Sequence, residues 1–176
     1  MEQHARAVPD MAADAALVAR AAVRQTVKNH LIVRALRDRE DFDAAWFASA
    51  VRHEFEQLAL QNSAEAARLD SVIARTRRKR GSATHPLDYR AEDRQRLELR
   101  RLVLLELARE LRSLARDEDV ALRIVTEARQ QALEEISGAA ASVRVAHPLT
   151  EMERMLALAA LAEDLDNLGV QRRRLD

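Results

Sequence analysis

Apolar residues recur every three or four positions along most of this chain, and the helical period is the only one that fits them. Projected at about 100° per residue, Val18, Ala19, Ala22, Val23, Thr26, Val27, His30 and Val33 share one face, with Arg20, Arg24, Gln25 and Lys28 opposite. A second stripe runs Phe47, Val51, Phe55, Leu58, Asn62, Ala66, Leu69, Ile73. A third combines Val103, Leu104, Leu107, Leu111 and Leu114, and here Leu99, Leu102 and Leu105 add apolar surface on the other side. Leu122, Val125, Ala128, Ala132 and Ile136 form the fourth, and Met152 to Leu168 is apolar nearly all round.

Rare residues punctuate these segments. Pro9, Pro86 and Pro148 each precede one, where a missing N–H does least harm. Gly81, Gly138 and Gly169 each lie near the end of one, where a left-handed cap residue is favoured. Acidic residues within Asp38–Asp43 and Arg116–Asp119 supply N-caps for two tight turns, and Thr150 with Glu153 forms a T-x-x-E capping box. Together these marks predict five helices, at about 11–38, 42–80, 91–116, 118–137 and 151–168.

A helix of about 28 residues is roughly 42 Å long, and long helices joined by tight turns pack as antiparallel hairpins. The expected architecture is an all-α five-helix bundle, a single helical domain over 1–176. Two long antiparallel hairpins, 11–80 and 91–137, are joined by the polar linker 81–90, and the C-terminal helix lies against them.

Composition refines this picture. Hydrophobic residues make up 48% of the 176, but 34 are Ala and only five are Phe, Trp or Tyr. Ala lets helices approach closely and contributes little burial, so Leu, Phe and Val are expected to carry the core. Lys+Arg 29 and Asp+Glu 29 cancel, which excludes a broadly basic surface or an acidic tail and leaves room for a local patch. Of the cations 27 are Arg, the mark of a GC-rich coding bias, so an isolated Arg carries no functional weight. The absence of Cys removes disulfides, thiolate metal sites and cysteine nucleophiles. Met1 to Ala16 carries Glu2, Arg6, Asp10 and Asp14 rather than a signal's apolar stretch. The longest apolar run, Met155 to Ala162, is far short of the roughly 20 residues that span a bilayer, and a cytoplasmic location is expected.

Catalytic and metal-binding patterns are missing. A carboxylate-bridged di-metal centre needs Glu-x-x-His, whereas Val27, Ala50, Ser82 and Arg144 precede His30, His53, His85 and His147 by three. His53-Glu54 opens like H-E-x-x-H, but Gln57 stands where the second ligand is needed. Three scattered Gly cannot wrap a phosphate, and no G-x-S-x-G occurs. Glu54, Glu56, Glu134 and Glu135 read as solvated faces of charged helices. No cofactor and no enzymatic activity are expected. His30 and Asn62 interrupt apolar stripes and read as hydrogen-bonded buried residues that fix helix register, the sharper alternative being a ligand or pH-sensing site.

The one concentrated charge feature is Arg75-Thr76-Arg77-Arg78-Lys79-Arg80, with Arg172–Arg174 further on. Arg75, Arg77, Arg78, Lys79 and Arg80 are candidates for binding a polyanion, either nucleic acid or anionic lipid. The plainer reading is a helix end whose cations favour the negative end of the helix dipole. Only Tyr89 among the aromatics is nearby, so a base-stacking platform is not expected.

The linker Arg80-Gly81-Ser82-Ala83-Thr84-His85-Pro86-Leu87-Asp88-Tyr89-Arg90, between two Arg/Ala-rich helices, resembles a stretch in uncharacterised small helical proteins of actinobacteria, over roughly residues 12 to 137. Some of those proteins carry an "asparagine synthase" label. This chain has neither a Cys for an amidotransferase nucleophile nor a Ser-Gly-Gly loop for pyrophosphate, and the resemblance assigns no functional residues. His85, Asp88 and Tyr89 read as a linker anchor, with a binding site on the linker as the alternative.

Two segments that are apolar on more than one side, the third and fifth, leave surface that needs another subunit, and zero net charge removes the repulsion against it. The expectation is a non-enzymatic interaction or scaffold protein that forms a homodimer through Leu99, Leu102, Leu105, Leu161 and Leu165. The alternative is an accessory binder of nucleic acid or an anionic surface through 75–80.

Overall fold

The computed structural model describes the backbone of residues 2–38, 41–78 and 90–146 and of eight positions between 152 and 163. Side chains are described over 7–35, 38, 41–75 and 93–139 and at those eight positions. The described residues are all-α, with α1 (Glu2–Val33), a π-helical turn (Arg34–Asp38), α2 (Ala44–Arg78), α3 (Arg90–Arg116) and α4 (Glu118–Ala146). Among the described residues four α-helices are found where the pattern predicts five. Of the expected 151–168 helix only scattered positions are described, each helical, with Met152, Met155 and Leu156 exposed. Leu161 and Leu165 lie outside the described residues, as do 79–89, which hold most of the expected linker and its His85, Asp88 and Tyr89.

Two punctuation marks fail, each for its own reason. Pro9 does not start α1, because the helix runs through it with Val8 and Ala12 buried on either side. One lost N–H is offset by that anchored face. Gly138 does not end α4, which continues eight residues to Ala146. The residues that follow it, Ala139 to Ala146, are mostly good helix formers, and a lone Gly weakens a helix by about 1 kcal/mol without stopping it. Asp43 does cap α2 as expected. Its Oδ1 accepts the N–H groups of Ala45 and Trp46 at 2.9 and 3.0 Å, and its carbonyl accepts from Phe47 at 3.1 Å.

The chain divides into two compact units, Met1–Ala21 with Arg52–Asp117, and Ala22–Val51 with Glu118–Asp176. In the first unit α2 and α3 run antiparallel. Arg112 donates to Ser63 at 2.6 Å, Arg100 pairs with Glu65 at 3.3 Å, and Arg101 pairs with Asp70. In the second unit α1 and α4 run parallel, since Arg24 meets Glu127 at 2.9 Å and Lys28 meets Glu135. The two helices of the expected 91–137 hairpin belong to different units. Asp117 alone separates α3 from α4.

The core is built on small side chains. Among the described residues 25 hydrophobic ones are buried and 11 of these are Ala, including Ala12, Ala16, Ala59, Ala108, Ala128 and Ala132, whose small side chains permit close backbone approach. Phe47, Phe55, Leu31, Leu111, Val27, Val51 and Val125 are the largest fully buried side chains. On α2 the expected stripe holds, with Leu58 and Asn62 half-buried. On α1 it does not. Val18 is 71% exposed and His30 is exposed, while Val8, Ala12, Ala16, Val23, Val27 and Leu31 are buried, as is Ala35 of the π-helical turn. On α3 only Leu111 of the expected face is fully buried, flanked by Ala108 and Ala115, with Val103, Leu104, Leu107 and Leu114 half-buried. On α4 Leu122 is exposed, and Ala121 and Ile124 take its place.

Candidate interaction surface

A core of small residues leaves large apolar side chains outside it. In the first unit Leu102 and Leu105 of α3 remain 47% and 40% exposed. With Val8 and Pro9 of α1, and with Glu106 and Arg109, they line a shallow groove of about 360 Å³. Pro9 contributes a rigid apolar ring there, and Glu106 pairs with Arg109 one turn on along the groove's α3 side. Leu99, the third residue expected at this surface, is half-buried. The arrangement is a flat apolar strip with charged margins, which suits a helix better than a small molecule enclosed on all sides.

The second unit holds a larger depression of about 580 Å³, lined by Arg24 of α1 and by Thr126, Glu127, Arg129, Gln130, Gln131, Leu133 and Glu134 of α4. Arg24 and Glu127 already satisfy each other across it, and the Thr126 hydroxyl donates to the Leu122 carbonyl at 2.9 Å. Nearby, three of the five aromatics gather at the α1–α2 turn. Trp46 packs edge-on to Phe47 at 4.8 Å and Phe42 stacks on Phe47 at 5.8 Å. The Arg34 guanidinium lies 4.0 Å over Trp46, and that of Arg129 lies 4.5 Å over Phe42. These contacts tie the π-helical turn and α4 to the start of α2, and they are structural.

The remaining candidates divide plainly. Arg75 is exposed and bonds the Ser71 carbonyl at 3.2 Å. The side chains of Arg77 and Arg78, and the whole of Lys79 and Arg80, lie outside the described residues. Asn62 is half-buried rather than fully buried as expected, and it donates to the Leu58 carbonyl of its own helix at 2.7 Å. His30 sits in solvent, which corrects its expected place in the core. Among the described residues no cluster of His, Asp or Glu is arranged to hold a metal ion, and no helix is long and apolar enough to cross a membrane. The exposure of Leu102 and Leu105 is the feature that the period alone signals, because they are large, apolar and off the main stripe of their helix. No family model, no curated protein and no solved structure matches the chain.

Proposed function

We propose that this chain is a non-enzymatic helical interaction protein that works by associating with itself, α3 providing the contact. The observation that supports this reading is the pair Leu102 and Leu105, left exposed beside Val8 and Pro9 while much of the buried core is Ala. Covering such a strip removes apolar surface from water without disturbing the helices beneath it.

Size-exclusion chromatography with light scattering, run with and without added DNA or RNA, tests it. The expected result is a particle of twice the 19.9 kDa chain without polyanion at tens of micromolar. A monomer under those conditions overturns the reading. A mass shift only with polyanion favours the basic segment instead, and its duplex-DNA affinity would fall with salt at a log–log slope near about −4.5 for five neutralised phosphates.

A further inference from the structure

We infer that two copies of α3 pair antiparallel about a twofold axis between Val103 and Leu104, an inference that rests on the self-association reading and specifies its geometry. Glu98, Leu102, Leu105 and Arg109 are spaced by four, three and four residues, so they fall on one face of α3. Their order is self-complementary. Turned end for end about that midpoint, Leu102 falls on Leu105 of the second copy and Glu98 falls on its Arg109. Arg101 and Glu106, at the flanks, are related in the same way.

The stripe is accessible for this contact. Besides the two exposed leucines, the side chains of Glu98 and Arg109 are 42% and 73% exposed. Each now pairs within its own helix, Glu98 with Arg94 at 3.6 Å and Arg109 with Glu106. Exposed pairs of this kind contribute little and exchange readily for partners on another chain. A parallel arrangement would set Glu98 against Glu98 and Arg109 against Arg109, so charge selects the antiparallel one.

Sedimentation of the full-length chain and of charge variants tests the pairing. Glu98→Arg or Arg109→Glu alone creates two like-charge contacts per dimer and weakens dimerisation by roughly tenfold or more, with helical ellipticity unchanged. The double variant Glu98→Arg/Arg109→Glu restores opposite charges and returns the dissociation constant to within about threefold of the original. Because the chain has no Cys, engineered thiols give a second readout. Glu98→Cys mixed with Arg109→Cys forms an intermolecular disulfide on oxidation. Glu98→Cys alone does not, since the two copies of that position stand about 16 Å apart along the axis, beyond disulfide reach. Wild-type affinity in both single charge variants, or self-crosslinking of Glu98→Cys, overturns the antiparallel pairing and leaves self-association standing. A monomeric wild type overturns both.

Discussion

Phe55 is fully buried, whereas Arg68 on the same helix keeps 81% of its side chain in water. Phe55→Ala removes a large side chain from a site walled by other helices, and is expected to cost about 3–5 kcal/mol through lost burial and the cavity left behind. Arg68→Ala loses only an exposed pair with Glu65, and is expected to stay within about 0.5 kcal/mol. Urea midpoints of the two variants measure the contrast. Asp43 acts through the backbone: Asp43→Ala frees the N–H groups of Ala45 and Trp46 and should cost about 1 kcal/mol by the same measurement. Leu107 and Leu111 are one turn apart on α3, yet only Leu111 is fully buried. Ala at Leu111 is therefore the more damaging change, although both fit one helical stripe.

At the scale of elements, Gly138 is the clearest site for strengthening the fold. It lies inside α4, and a methyl group added at its Cα would meet nothing within 4 Å. Gly138→Ala should therefore stabilise by about 0.5–1 kcal/mol, read as a higher thermal midpoint. Helix existence is legible from the period, and so is the face of α2, whose Phe47–Ile73 stripe keeps a steady register. The face of α1 is not. Its buried positions advance by four, four, seven, four and four residues from Val8 to Leu31. Steps of four overshoot a full helical turn by about 40° each and the step of seven falls short by about 20°, so the buried side migrates by about 140° along α1. A projection at one fixed angle averages over that migration, which is why it places Val18 and His30 inside and overlooks Leu31. Ala conceals the rest: at Ala108, Ala115 and Ala121 the buried positions fall on residues that carry little hydrophobic signal. The exposed strip of α3 is legible because Leu102 and Leu105 contradict their own helix's polar side.

For the whole molecule, Leu102→Glu should yield a folded monomer, with ellipticity retained and mass halved in light scattering; loss of the fold would instead make Leu102 part of the core. Burial on this scale by many small side chains also limits how much each unit contributes to stability, so the two units need not melt together. The means to observe this is already in the chain. Trp46 is the single tryptophan, it lies in the second unit, and its indole is covered on one side by the Arg34 guanidinium. Intrinsic emission excited at the indole band is therefore a local optical gauge of the α1–α2 turn, while ellipticity sums over every helix. If emission shifts at a lower urea concentration than ellipticity falls, the aromatic turn opens first; coincident curves mean that one cooperative transition governs the chain.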